Sequence, residues 1–360
     1  MKRKKSIKPN SQSVLVIILC AFIGFMSSYL ILRTHFLEPS MLPSNLLVEK
    51  SGTAIDKKDT VVLKILSADT LVQLAAQPGQ TGKVIKSIDL LFQHNPFFLI
   101  WSMLIIIMMT IVSGGFPFFM WQTVEIKEKF SLSKKLHLTS LIGSLILISF
   151  MSVLPATLNL YAPRHIVEDM KILLSNSNII PLFVVLPLLM LYPVFHSVFL
   201  ISPCASKIGF TNGDKKSIEK AAQNFTYLNK VLLNALQFLA AFVVISVLLS
   251  SSMRESIKAT FTIRGLDMLP HEINYAYGLY FSLFLSIVYF PVSAYLNYRV
   301  GQFKNAIQDN VDLTVPDTEK WFSKLFDNFG GDKSLLTNFK VAFTILSPLI
   351  TSFLPEQLHL

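Results

Sequence analysis

Apolar residues in this chain come in blocks. The first, VLVIILCAFIGFMSSYLIL at 14–32, runs 19 residues without a charge. Five more follow at 97–121, 136–161, 179–203, 231–252 and 274–297, none with a central Asp, Glu, Lys or Arg. A helix needs roughly 20 apolar residues to cross a bilayer. The pattern therefore predicts an all-α integral membrane protein, a bundle of about six transmembrane helices. It divides the chain into a basic N-terminal tail (1–13), a first transmembrane helix (14–32), a small extracytoplasmic segment (33–96), a five-helix bundle (97–297) and a cytoplasmic helical tail (298–360).

Local signals refine several blocks. MKRKKSIK followed by apolar residues is how a secretory signal opens, but the apolar core of a signal is shorter, so 14–32 reads as a retained anchor. Asn95-Pro96 is a helix start, with proline at a position where its missing N–H costs nothing. Trp101 and Trp121 are spaced to bracket a span at its two interfaces. Gly114-Gly115 and Pro117 predict a kink or early fraying. Pro181, Pro187 and Pro193 each remove a backbone donor, so the fourth block reads as a broken helix.

Charge orients the bundle. The segments 1–13, 122–135, 204–230 and 298–304 hold 16 Lys or Arg in 61 positions. The alternate segments 33–96, 162–178 and 253–273 hold 12 in 102. Positive residues concentrate on the cytoplasmic side of membrane proteins. The N-terminus and the tail are thus expected in the cytoplasm, in a multi-pass protein of the cell inner membrane. The same distribution argues against nucleic acid as partner: the net charge of +10 is scattered between apolar blocks rather than gathered on one basic module.

Polar residues inside the blocks are the candidate functional positions. In the sixth block, Gly278, Ser282, Ser286, Tyr289, Ser293 and Asn297 fall within an arc of about 100° on a helical wheel. They form one polar seam along the whole span. It faces either another helix, which the small residues would let approach closely, or water in a lumen. In the fifth block, Lys230, Asn234, Gln237 and Ala241 share a face that reads as interhelical hydrogen bonding or as the wall of a vestibule. Asn234, Gln237, His137 and His196 together make a candidate cytoplasmic vestibule, and Ser140 and Ser144 lie on the same turns as His137.

The non-membrane segments carry two further expectations. TVVLKIL (60–66) is β-rich but short, and 33–96 reads as a cap on the bundle or a docking element. PDTEKWFSKLFDNFGG (316–331) has the spacing of an amphipathic helix at a membrane surface or against the bundle. The uncharged run from Val341 to Leu354 is short for a crossing, so 334–354 reads as a docked helix, with a seventh crossing as the alternative.

Catalytic signatures are missing. The chain has no GxSxG, HExxH, P-loop, GxGxxG or EF-hand pattern, and its histidines are not spaced as a helix-borne metal site. Cys20 and Cys204 form no CxxC motif. Asn224-Phe225-Thr226 fits a glycosylation pattern on the wrong side of the membrane. No catalytic residue, cofactor or metal is expected. Coupled carriers place ionisable residues within their spans, and none is central here. The sequence thus implies a non-enzymatic scaffold, sensor or accessory subunit of a membrane complex. Its alternative is a channel-like conduit or membrane-permeabilising effector of toxin or phage-defence type. The expected partners are the lipid bilayer and a homo-oligomer or another membrane protein.

Overall fold

The computed structural model describes residues 11–37, 62–63, 96–161, 179–209, 215–262, 272–308 and 334–357. They form helices α1 (Ser11–Leu37), α2 (Pro96–Phe130), α3 (Lys134–Tyr161), α4 (Ile179–Met190), α5 (Tyr192–Ser206), α6 (Lys215–Thr260), α7 (Glu272–Gln308) and α8 (Ser334–Gln357). Two short strands, β1 (Val62–Leu63) and β2 (Phe261–Thr262), pair antiparallel. Among the described residues five stretches are long and apolar enough to cross a membrane: Pro96–Phe130, Lys134–Met151, Val185–Ser206, Lys216–Ser256 and Asn274–Gln308. The first and last helices are apolar over shorter stretches, Val14–Leu30 and Lys340–Phe353.

The bundle exposes the residues that a soluble protein would bury. On α7, Leu279, Leu283, Ile287 and Phe290 are 51–56% exposed and share one stripe. Leu138, Ile142, Leu145 and Ile146 do the same on α3. Water would not tolerate so continuous an apolar surface, whereas hydrocarbon does. The interior is packed by aromatic pairs across helices. Phe195 of α5 meets Phe284 of α7 edge-on at 5.9 Å. Phe119 of α2 meets Phe238 of α6 at 5.1 Å, and Phe225 of α6 meets Phe303 of α7 at 5.5 Å. Such pairs add about 0.5–1.5 kcal/mol beyond the area they bury.

Small residues set the closest helix approaches. α1 packs on α2 through Gly24, where a β-carbon would lie 2.8 Å from the Met109 carbonyl oxygen, and through Gly114, where it would lie 3.2 Å from Ala21 Cβ. Gly115 leaves room for the Phe238 ring of α6, whose Cε2 would sit 2.2 Å from an added β-carbon. The fraying expected at Gly114-Gly115 does not occur: α2 runs unbroken from Pro96 to Phe130 with Pro117 inside it. Its glycines serve approach, not flexibility. Trp101 is buried and packs on Phe98 at 5.6 Å.

The break expected in the fourth block falls at Leu191. Pro193 supplies no N–H, so α4 ends at Met190 and α5 restarts at Tyr192. Leu191 bridges the two, its N–H bonded to the carbonyls of Pro187 and Leu188 at 3.1 Å each. The break is a bend rather than a gap, because Leu191 keeps right-handed helical angles.

The helices are pinned at both ends. At one end, Arg299 of α7 donates to the carbonyls of Ala205, Ser206 and Ile208, which close α5. Lys207 Nζ donates to Ser131 O at 2.8 Å and to Phe130 O at 3.4 Å, closing α2. Cations belong at these carbonyl-rich helix ends. Ser131 itself takes a left-handed φ of 47°, which lets the chain turn from α2 into α3. At the other end, Val62 pairs with Thr262 and Leu63 with Phe261, and Asn274 Nδ2 donates to Ser251 Oγ at 3.3 Å.

The part of the tail within α8 is not detached. α8 packs lengthwise on α6 and α7. Tyr275 stacks against Phe353 at 4.6 Å, and Gly278 meets Pro348 and Ser352. The paired numbers rise along α7 and fall along α8, so the two helices run antiparallel. The amphipathic stretch 316–331, and all of 33–96 except the end of α1 (33–37), β1 and Pro96, lie outside the described residues.

Candidate functional site

The histidines of the expected vestibule meet. His137, in the first turn of α3, and His196, in the second turn of α5, are 59 residues apart in sequence. His137 Nδ1 lies 3.3 Å from His196 Nε2. Ser140, one turn along α3 from His137, puts its Oγ 3.0 Å from His196 Nδ1 and 3.2 Å from the His196 carbonyl oxygen. The result is a continuous chain: Ser140 hydroxyl, both nitrogens of His196, then His137 Nδ1. It ends at His137 Nε2, which is buried and has no hydrogen-bond partner among the described residues.

Helix geometry explains the assembly. Residues three and four apart share a helix face, so His137, Ser140 and Ser144 line one side of α3. Ser144 completes the row by donating to the Ser140 carbonyl at 2.7 Å. Pro193 starts α5, and the turn that follows aims His196 at α3. Tyr192 precedes His196 by one turn and stacks on it at 5.3 Å with planes 25° apart. Sequence reasoning missed Tyr192, although its i−4 position to His196 was the available signal. Further along, Gly143 brings the backbone of α3 against the Phe199 ring of α5, at 3.0 Å from an added β-carbon.

Asn234 and Gln237 do not join this cluster. Asn234 is half-buried and Gln237 exposed, and among the described residues no hydrogen bond links either to the histidines. Lys230 and Ala241 of the same row are exposed as well. The face read as interhelical glue or vestibule wall therefore points out of the bundle.

The seam on α7 changes character along its length. Gly278 is buried against α8. Ser282 is 4% exposed with its Oγ unpartnered among the described residues. Ser286 is half-buried and donates to the Ser282 carbonyl at 2.9 Å. Tyr289 is half-buried against the core, Ser293 is half-buried and Asn297 is exposed. Beside the seam, the Tyr295 hydroxyl lies 2.6 Å from Ser206 Oγ.

Among the described residues no group of three or more His, Cys, Asp or Glu is placed to hold a metal ion. The described architecture is that of a helical membrane protein with several candidate spans. No protein-family model matches the chain, and neither a curated protein nor a solved structure matches it.

Proposed function

We propose that this chain is a non-enzymatic multi-pass membrane protein acting as a scaffold, sensor or accessory subunit of a membrane complex. One observation carries the reading: the polar seam of α7 is closed by α8 at Gly278, where a β-carbon would lie 2.6 Å from Ser352 Oγ. A seam filled by a neighbouring helix is packing surface, and small-residue seams are how membrane helices reach van der Waals contact. The bilayer surrounds the bundle. The outward row of Lys230, Gln237 and Ala241 offers amide and ammonium groups to a second copy or to another membrane protein.

The topology belongs to the same reading. Six blocks cross the inner membrane, with the N-terminus in the cytoplasm. Support comes from which segments meet: Arg299, Lys207 and Ser131 lie on three of the four basic-rich segments and bond at one end, while β1 and β2 lie on two of the alternate segments and pair.

The exposed row on α6 also supports the conduit reading, since several copies could turn it toward a shared axis. Ion flux into liposomes containing the purified chain separates the two. The scaffold reading expects no flux across pH, voltage and lipid composition. A reproducible conductance that changes with Gln237→Leu would replace it with the conduit.

A further inference from the structure

The distances in the Ser140, His196 and His137 chain restrict where hydrogens can be. The contact between His137 Nδ1 and His196 Nε2 at 3.3 Å is a hydrogen bond only if one of the two nitrogens carries a hydrogen. Two neutral arrangements satisfy it. In the first, His137 Nδ1–H donates to His196 Nε2, His196 Nδ1–H donates to Ser140 Oγ, and the Ser140 hydroxyl donates to the His196 carbonyl. In the second, the Ser140 hydroxyl donates to His196 Nδ1, His196 Nε2–H donates to His137 Nδ1, and His137 carries its hydrogen on Nε2. Both rings are Nδ1–H, or both are Nε2–H. A mixed pair either sets N–H against N–H or leaves two lone pairs facing.

The chain is open at one end only. His137 Nε2 is unpartnered. At the other end, the hydroxyl of Ser140 stands against a carbonyl, which accepts a hydrogen bond but takes no proton. The next hydroxyl, Ser144, is engaged with the Ser140 carbonyl and does not extend the chain. In the first arrangement, a proton that reaches the buried His137 Nε2 therefore has no exit through Ser140. It stays on the pair, and the inter-ring bond survives because His137 Nδ1–H still donates to His196 Nε2. A second proton must occupy His196 Nε2; in the second arrangement the first proton goes to His196 Nδ1 and the second to His137 Nδ1, which brings the rings to the same state. Two cations then face each other hydrogen to hydrogen, and the contact cannot hold.

We infer that His137 and His196 form one coupled acid switch in the α3–α5 contact, holding a first proton and opening on the second. The charges that act on the pair are Lys127 of α2, on His137, and His137 itself, on His196, while Tyr192 of α5 stacks on His196. α4 has no titratable side chain in its sequence. α7 approaches α3 through Tyr280, whose hydroxyl donates to the Phe150 carbonyl several turns away. The charges named here are positive, which makes the second proton the one that forces separation. This inference goes beyond the scaffold reading and holds whether or not the chain joins a complex.

The test uses the full chain in lipid nanodiscs with 15N-labelled histidine, the two rings assigned through H137Q and H196Q. The expected result at mildly alkaline pH is the same tautomer on both rings. On acidification the rings should take up two protons in separate steps. Spin labels at Leu138→Cys, exposed on α3, and Ser202→Cys, half-buried on α5, in a Cys20→Ala, Cys204→Ala background, should shift to longer distance at the second step only. H137Q should abolish that shift. Opposite tautomers, an unchanged distance with both rings protonated, or a shift that persists in H137Q would each overturn the switch. Proton flux through the liposome assay leaves the switch standing, so the two proposals fail separately.

Discussion

Gly278 of α7 and Ser352 of α8 approach so closely that a β-carbon on the glycine would sit 2.6 Å from the serine hydroxyl oxygen and 2.8 Å from the Pro348 carbonyl oxygen. The serine can rotate; the backbone carbonyl cannot. Gly278→Leu should therefore lift α8 off α7 rather than be absorbed. Overpacking of this kind costs about 1–3 kcal/mol. The melting temperature of the purified protein in detergent should fall. A disulfide engineered between Tyr275→Cys and Phe353→Cys should form readily in the parent and poorly in the variant. An unchanged melting temperature would show that the contact contributes little.

A similar contact joins α1 to the bundle. α1 packs chiefly on α2, and Gly24 has Ser113 Cβ at 2.5 Å and the Met109 carbonyl at 2.8 Å from an added β-carbon. Gly24→Leu should separate the pair while leaving α2 to α8 folded. Limited proteolysis should then release a fragment beginning after α1, with the remainder keeping its melting temperature. Ala21→Gly, which only removes volume at 3.2 Å from the Gly114 position, should leave α1 in place.

These contacts mark where the sequence could be read and where it could not. Apolar block length located the helices of the bundle, because hydrocarbon imposes one requirement on every span. Helix ends were less visible. α2 continues to Phe130 and α6 begins at Lys215, past the blocks at 97–121 and 231–252. Those extensions look polar, yet Ile126 and Phe225 within them are buried, and Lys129 Nζ of α2 lies 4.0 Å from the centre of the Tyr227 ring of α6. The seam on α7 was legible by its period of 3.6, but its cover was not. α8 has Lys340 and Pro348 in a short apolar run, and only tertiary contact shows that Ser352 fits Gly278. The histidines were grouped in one vestibule with Asn234 and Gln237, but not as a bonded pair. Their pairing depends on how α3 and α5 cross, which no spacing within either helix encodes. Gln237 was read as glue because an amide seeks partners, yet packing turned its face outward.

Arg299 closes α5 by donating to three carbonyls and is held by Gln302, whose Oε1 accepts from Arg299 Nη1 at 2.7 Å. Hydrogen bonds from a charged donor contribute about 1.5–3 kcal/mol where they are shielded. This guanidinium is only half-buried, so the lower end applies. Arg299→Gln should lower stability by about 1–2 kcal/mol, read as a drop in melting temperature. Arg299→Lys should recover only part, because one ammonium cannot span three carbonyls in a fork. Equal behaviour of the two variants would reduce the role of Arg299 to charge alone.

The depth of α8 makes the last prediction. Its apolar stretch, Lys340–Phe353, extends only about 21 Å as a helix, but the whole helix of 24 residues extends about 36 Å, beyond a hydrocarbon core of about 30 Å. Tyr275 and Gly278 are at the start of α7, the end where Asn274 bonds Ser251 and where the β1–β2 pair lies nearby in sequence. Phe353 and Ser352 reach that end. Lys340 is exposed near the opposite end of α8, where a long side chain can reach toward the headgroups. α8 should therefore cross the membrane as a seventh span, contrary to the cytoplasmic tail that its short apolar run suggests. Reporter fusions after positions 215, 308 and 360 check this. The first two should report the cytoplasm and the third the opposite side. A cytoplasmic signal at 360, with the other two unchanged, would return α8 to a helix that enters the bundle without crossing it.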